Sequence, residues 1–375
     1  KMKNKIIFLV NGDSFFISHR LLIAKKLLLE GYEVHIATEF SNHRKMLSKM
    51  GFKLHNISFN KNSVNLLKTI LPIFQIFFLI RKIKPRIIHL ISLKPIILGG
   101  LVSLISPVNS MVISITGLGS MFIKNGIFSR IRENIFILLY RVVFLFPNFK
   151  VILQNNDDLK YLIKKANLKK NKTEIIKGSG VDLNTVKFTK IPENEPIILM
   201  ACRIIGDKGI LEYIKSIQYL KKYNFKGKFY LAGNIDFTNP SAIKESTINH
   251  WHQKKIVNYI GYQNDISKII KKSTIVVLPS YREGFPKILM EAAACGRPVI
   301  TTNVPGCKDA VINNITGILV PPKNYIALAN AIKNLCNNKK KLKKIGKAAR
   351  KHALENFDVN DVVSHHLHIY KTLEL

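Results

Sequence analysis

The chain has 375 residues, 47% of them hydrophobic, with 59 Lys and Arg against 23 Asp and Glu and a formal net charge of +36. Length and apolar content together exclude a disordered basic tail and leave room for two or three domains. A charge this large predicts an anionic partner, whether lipid head groups, a diphosphate or nucleic acid.

The start, "KMKNKIIFLV", holds too short an apolar stretch for a signal peptide and runs into an expected first strand at 5–10. A helix pattern follows at 19–31, ending at Gly31, and then strand-like runs at 33–38, 86–91, 111–116 and 150–154 with helical stretches between them. Gly, Pro and polar residues gather at 178–196, which reads as a linker between two α/β domains. The pattern resumes with runs at 197–202, 228–233, 255–261, 274–279 and 297–302, and an amphipathic helix is expected over 357–375. The runs are continuously apolar, as in strands covered on both faces, so the expectation is parallel sheets built from βαβ units.

Charge is unevenly spread. From Phe40 to Arg132 the chain has no acidic residue and fourteen bases, among them Arg44, Lys61, Lys68, Arg81, Lys82, Lys94, Lys124, Arg130 and Arg132. The most lipid-like stretch, Val64 to Ile80, is interrupted by Lys68, Pro72 and Gln75, so it predicts a partly buried helix rather than a membrane span. Cys202, Cys295, Cys307 and Cys336 form no CxxC pair and no metal-ligand spacing, which reads as a reduced, cytoplasmic protein without structural zinc. His89, on an apolar run, reads as a core histidine, and His365, His366 and His368 as a solvated helix face.

The fingerprint of dinucleotide binding is absent after the first strand, and in "TGLGSMF" (116–122) Phe122 stands where a third glycine or alanine belongs. A Walker phosphate loop is absent too. A nucleotide held beyond the carboxyl ends of parallel strands is the remaining ligand class. In "PSYREGFPKILMEAAACG" (279–296), Glu283 is expected in the loop above a strand end, Pro286 at the first helical position, and Glu291 about two turns into the helix. Amides at a helix start receive anions and carboxylates accept from hydroxyls, which together suit a sugar joined to a nucleotide through a diphosphate. Arg203 and Lys208, the latter expected to begin the next helix with Gly209, are placed to neutralise a departing diphosphate. Asp13 and His19, after the first strand, suit an acceptor hydroxyl, and Asp13 equally suits a turn.

With these residues in this order, 197–320 resembles the donor domain of the retaining GT-B glycosyltransferases of family four. "ACRIIGDKG", "YLAG", "YREGFPKILMEAAACGRPVITT" and "NNITGILVPP" carry the resemblance, above all the Glu-x7-Glu element from Glu283 to Glu291. More loosely it covers the whole chain, through "LKP" (93–95), "TGLGSMF" and the terminal helix. Its flavour is that of bacterial enzymes adding N-acetylhexosamines to lipid-linked glycans. The resemblance implies an α/β, GT-B fold of two Rossmann-like doubly wound parallel-sheet domains facing a central cleft. Residues 1–185 would bind the acceptor and face the membrane, 186–356 would bind the nucleotide sugar, and 357–375 would be a helix crossing back to the first domain.

The implied activity is a retaining, metal-independent hexosyltransferase that moves an N-acetylhexosamine from a UDP-sugar to a polyprenyl-diphosphate-linked saccharide in surface glycan assembly. The implied place is cytoplasmic, peripheral on the anionic inner face of the cell membrane. Carried over by position, Arg203 and Lys208 contact the donor diphosphate, Glu283 faces the transferred sugar with Gly284, Phe285, Pro286 and Lys287 nearby, and Glu291 holds the ribose. Where many relatives carry a catalytic-site histidine, this chain reads Thr116-Gly117. No cofactor and no metal are expected, since no Asp-x-Asp is present. Two rival readings remain: a sugar-nucleotide epimerase, which needs no lipid acceptor, and a basic nucleic-acid binder. The acid-free span from Phe40 to Arg132 in the first domain counts against the former, and the lack of aromatic-plus-basic platforms counts against the latter.

Overall fold

The computed structural model describes residues 4–59, 66–119, 126–237 and 239–374. Val64 and Asn65 of the lipid-like stretch, Ser120 to Phe122 of "TGLGSMF", and Lys61 and Lys124 lie outside the described residues. The chain divides into two compact units, residues 1–179 with 360–375, and residues 180–359.

In the first unit a parallel seven-stranded sheet has the order β3-β2-β1-β4-β5-β6-β7. Its strands are β1 (Lys5–Val10), β2 (Glu33–Thr38), β3 (Lys53–Asn56), β4 (Ile87–Ile91), β5 (Ser110–Ile115), β6 (Phe149–Leu153) and β7 (Thr173–Ile175). Connecting them in turn are α1 (Asp13–His19), α2 (Leu21–Leu29), α3 (Arg44–Lys49), α4 (Leu66–Ile83), α5 (Leu93–Ser103), α6 (Ile127–Val143) and α7 (Asn156–Ala166). Ile7, Leu9, Ile88, Leu90, Met111, Ile113 and Val151 form one buried face with α4, α5 and α6, while Ile6, Phe8, His89 and Val112 are buried on the other. Burial on both faces is what the continuous apolar runs require.

The helix expected over 19–31 is two helices that meet at Arg20, and the short strands β3 and β7 were not foreseen, since "KLHN" and "TEI" are too short and polar to stand out. The terminal helix α14 (Val359–Thr372) belongs to this unit from Asn360 onward. Its buried stripe of Val362, His366, Tyr370 and Leu373 shows that His366 is not on a solvated face, although His365 and His368 are exposed. The helical repeat carries a histidine through an otherwise apolar stripe, a pattern hidden by its two exposed neighbours. His366 Nδ1 bonds to the Val362 carbonyl at 2.7 Å. His89 is satisfied in the core, with Ser114 Oγ and the Tyr370 hydroxyl each 2.7 Å from its two ring nitrogens. Burial beside the Arg20 guanidinium holds His366 down to about 3 and His89 well below the usual histidine range.

In the second unit a parallel six-stranded sheet has the order β10-β9-β8-β11-β12-β13. Its strands are β8 (Ile197–Ala201), β9 (Lys228–Ala232), β10 (Asn258–Tyr259), β11 (Ile275–Leu278), β12 (Val299–Thr302) and β13 (Gly317–Val320). Its helices are α8 (Ile210–Lys222), α9 (Glu245–Gln253), α10 (Ile266–Lys272), α11 (Lys287–Ala294), α12 (Tyr325–Asn337) and α13 (Lys339–Asn356). The expected run 255–261 shrinks to two paired residues at the sheet edge, and β13 was not foreseen as a strand. The segment 178–196 holds no helix or ladder strand, yet it is fastened: the fully buried Arg297 donates to the carbonyls of Thr189 and Lys190 and to Thr189 Oγ1. Cys295 and Cys307 are buried and all four cysteines are free thiols.

Candidate active site

In the second sheet the chain leaves β8 outward to β9 and β10, then returns to the other side of β8 as β11. That reversal opens a crevice beyond the carboxyl ends of β8 and β11, the place where doubly wound sheets bind ligands. Lys208 and Glu283 come from the loops that follow these two strands. Lys208 Nζ lies 2.5 Å from Glu283 Oε1, and Ser280 Oγ donates to the same oxygen at 2.6 Å. Both side chains are largely covered, at 15% and 11% exposure, so the pair has little screening by water.

Local backbone makes this possible. Lys208 closes a 3-10 turn, Gly206–Lys208, instead of beginning a helix, and Gly209 (φ +75°) turns the chain into α8. A Cβ at Gly209 would meet the Pro279 carbonyl oxygen at 2.1 Å, and one at Gly306 (φ +79°) would meet the carbonyl oxygens of Glu283 and Gly284 at 2.5 Å. Only glycine lets these loops approach so closely. The Glu283 amide donates to the Pro305 carbonyl at 3.1 Å, and the Tyr281 amide to the Asp207 carbonyl at 2.9 Å, which ties the three loops together.

Gly284, Phe285 and Pro286 are buried. Pro286 stands at the cap rather than the first helical position, with α11 beginning at Lys287, so Glu291 is just over one turn in, not two. Lys287 Nζ is 3.8 Å from Glu291 Oε1, one turn apart on the helix. Burial pushes the Glu291 carboxyl above its ordinary range in spite of the Lys287 charge. A carboxylate so placed gains from hydroxyl donors.

Arg203 is not gathered into this cluster. Its Nη1 pairs with Asp236 Oδ2 at 3.0 Å, and its side chain is 61% exposed. Ser280, Asp236, Tyr281 and Glu212 were missed in the sequence. The Tyr281 hydroxyl donates to Glu212 Oε1 at 2.8 Å, and Glu212 Oε2 is buried without a partner among the described residues. Their signal was position alone, each lying within a few residues of a strand's carboxyl end or a helix start.

In the first unit, Asp13 is the first residue of α1 and binds the segment after β2. Its carboxylate accepts from Ser14 N at 2.7 Å, Ser41 N at 2.8 Å, Ser41 Oγ at 2.7 Å and His43 N at 3.2 Å. Burial works to raise its pKa, but the bonds from Ser41, His43 and Ser14 outweigh that and hold it below the ordinary carboxylate value. His19 stacks on Phe15 at 4.2 Å between ring centres and is half-buried at the end of α1. Thr116 and Gly117 (φ +120°) follow β5 directly and are half-buried. Among the described residues no group of three or more His, Cys, Asp or Glu side chains is placed to hold a metal ion.

The family model "Glycosyl transferases group 1" matches residues 182–352, and the model "Glycosyl transferase 4-like" matches residues 5–176. The chain is 27% identical over 381 residues to the N,N'-diacetylbacillosaminyl-diphospho-undecaprenol alpha-1,3-N-acetylgalactosaminyltransferase of Campylobacter jejuni, covering 98% of each protein. It is 25% identical over 293 residues to the UDP-Gal:alpha-D-GlcNAc-diphosphoundecaprenol alpha-1,3-galactosyltransferase of Escherichia coli, covering 74% of this chain and 73% of that one. Among solved structures, a glycosyltransferase from Rickettsia africae superimposes with a TM-score of 0.74 at 23% identity, covering 100% of this chain and 99% of that one. The two parallel-sheet units therefore have the GT-B fold of these neighbours.

Proposed function

Because the chain belongs to the glycosyl transferases group 1 family, we propose that it is a retaining hexosyltransferase using a nucleotide-diphosphate sugar. The proposed donor is a UDP-N-acetylhexosamine and the proposed acceptor a polyprenyl-diphosphate-linked saccharide. The names of the C. jejuni and E. coli relatives support this reading: both describe transfer to diphospho-undecaprenol-linked saccharides, and one names UDP-Gal as donor.

The observation that carries the proposal is the Lys208–Glu283 pair at the reversal point of the second sheet. In the resting protein the two charges neutralise each other. A bound donor divides them: its diphosphate takes the ammonium, and a hydroxyl of its sugar donates to the carboxylate. As the bond from the anomeric carbon to the phosphate oxygen breaks, negative charge grows on the diphosphate and positive charge on the sugar ring. Lys208 and Glu283 then face charges of opposite sign to their own, and both contacts strengthen in the transition state. The acceptor oxygen forms the new bond to the anomeric carbon, and its proton passes to a phosphate oxygen of the leaving nucleotide. Glu291 is assigned to the ribose hydroxyls. Arg203 joins the diphosphate on leaving Asp236, which its exposure permits. With these cations in place of a divalent ion, the reaction is proposed to run without metal.

The proposed setting is the anionic inner face of the cell membrane. Among the described residues no helix is long and apolar enough to cross a membrane. Instead α4 exposes Ile70, Leu71, Phe74 and Phe78, and α6 exposes Ile127, Phe128, Ile131, Ile135 and Leu138. Both helices pack against α5 on the same sheet face, and Arg81, Lys82, Lys84, Arg130, Arg132 and Arg141 are exposed beside the apolar stripes. Apolar stripes flanked by bases are what a peripheral contact with anionic lipid needs.

The decisive experiment is the stereochemistry of the product. The chain is incubated with a UDP-N-acetylhexosamine and a lipid-diphosphate saccharide, and the new anomeric coupling constant is read by NMR. Retention of the donor's configuration is the expected result, and inversion would refute the assignment.

A further inference from the structure

In the proposed reaction a donor divides Lys208 from Glu283, and the ion pair then no longer holds their two loops in register. The bonds around Tyr281 supply another hold. Its amide donates to the carbonyl of Asp207, the residue before Lys208, at 2.9 Å, and Tyr281 itself stands two residues before Glu283. Its hydroxyl donates at 2.8 Å to Oε1 of Glu212, in the first turn of α8, the helix that follows Lys208 and Gly209. Lys323, from the loop after β13, places its ammonium 5.2 Å from the centre of the Tyr281 ring. One side chain therefore joins segments that follow β8, β11 and β13.

None of these contacts uses the charge of Lys208 or Glu283, so donor binding need not break any of them. The loop 280–283 is fastened toward β12 by Thr302 Oγ1, which donates to the Ser280 carbonyl, and by the Glu283 amide on the Pro305 carbonyl. Toward β8 it is joined by the two bonds of Tyr281. The hydroxyl is a dependable donor: burial and the Glu212 carboxylate push its pKa above the ordinary tyrosine value, so it keeps its proton at neutral pH. Glu212 Oε2 is buried without a partner among the described residues, so the Tyr281 bond is what holds this carboxylate. A hydrogen bond to an ionised acceptor is stronger than one between neutral groups.

We infer that Tyr281 is a positioning residue for transfer, which through its bond to Glu212 keeps Lys208 and Glu283 at the separation that diphosphate and sugar require. It acts through the two loops and not on the reacting atoms. This inference rests on the donor-site reading of Lys208 and Glu283.

Steady-state kinetics on the full chain test it, with UDP-N-acetylhexosamines as donors, a polyprenyl-diphosphate saccharide as acceptor, and variants shown to be folded by circular dichroism. Tyr281→Phe removes the hydroxyl and keeps the ring beneath Lys323. It is expected to lower kcat about tenfold or more while the donor KM changes less than about threefold. Glu212→Ala should reproduce this loss, and Glu212→Gln, whose amide oxygen still accepts the bond, should recover most of it. Because Glu212→Ala leaves no carboxylate stranded in the interior, it carries the test should Tyr281→Phe fail to fold. The decisive comparison is made in a Glu283→Gln background. There Tyr281→Phe should lower kcat by a clearly smaller factor, since it acts through a residue already replaced. Equal factors in both backgrounds, a loss confined to donor KM, or near-normal kcat in Tyr281→Phe and Glu212→Ala overturns the inference and leaves the donor reading standing. A wild type that neither transfers sugar from nor is thermally shifted by any of a panel of nucleotide sugars defeats the donor reading, and the inference with it.

Discussion

Lys208 and Glu283 are 75 positions apart in sequence and 2.5 Å apart in space, each at the mouth of a different strand of one sheet. Two opposite charges so little exposed hold each other in place. If both act on the transition state, Glu283→Gln lowers kcat by roughly 10²-fold or more, and Lys208→Ala does the same. The double variant loses less than the product of the two single losses, because the residues share one interaction. Steady-state kinetics on variants shown to be folded by circular dichroism measure this. A folded Glu283→Gln with near-normal kcat would remove it from the sugar site.

Glu291 separates binding from stability. If Glu291 holds the ribose, as proposed, that contact is the same before and during transfer, so Glu291→Gln raises the donor KM on the order of tenfold and leaves kcat nearly unchanged. Its carboxyl is raised by burial, so its folded pKa lies above the unfolded one. The folded state then binds the proton more tightly, and stability falls as pH rises from the ordinary value of 4.5 through the folded pKa. At neutral pH without donor, Glu291→Gln is therefore expected to melt higher than the wild type. A lower melting temperature would contradict this.

The buried histidines make the first unit acid-sensitive. His366, held down to about 3 by burial beside Arg20, stays neutral while the unfolded chain takes up a proton near 6.5. Stability is complete above 6.5 and declines as pH falls toward 3, by up to about 1.4 kcal/mol per pH unit for each such histidine. His89 adds a second contribution of the same sign. Urea melts across this interval should show His366→Leu with a shallower slope than the wild type, and equal slopes would contradict the account.

Membrane contact is tested by flotation with vesicles. Binding to vesicles containing phosphatidylglycerol at low salt, and release from them at high salt, is expected, since each base near an anionic surface contributes about 1 kcal/mol. Replacing Phe74, Phe78 and Phe128 together by Ser should weaken binding further, because each ring loses an apolar transfer of roughly 1.5–3 kcal/mol. Protein that stays with the soluble fraction at low salt would end this proposal.

Gly209→Ala probes the loop geometry without touching a charged group. A Cβ there meets the Pro279 oxygen at 2.1 Å and adds the strain of φ +75°. The backbone must shift, at a cost of about 1–3 kcal/mol or more, and Lys208 moves with it. Both a lower melting temperature and a lower kcat are expected. Unchanged values of both would show that the loop yields freely.

Much of the architecture was legible because it depends on patterns within short windows. Unbroken apolar runs such as "KIIFLV" and "TIVVLP" already require a strand covered on both faces, and they became β1 and β11. Glu283 in the loop after β11 likewise followed from local order, whereas Lys208 sits in a 3-10 turn and Glu291 just over one turn into α11. What the sequence left open depends on which strands become neighbours. His366 looked solvated because its burial is decided by β1 and β4, where Phe8 and His89 stand. Asp13 suited an acceptor or a turn equally well until Ser41 and His43 came to it from beyond β2. Arg203 was assigned to the diphosphate, yet the resting partner of its guanidinium is Asp236 from the loop after β9. Propensity and hydrophobic period act through residues a few positions apart, whereas a site is assembled by contacts between loops distant in sequence, and only the folded sheet supplies those.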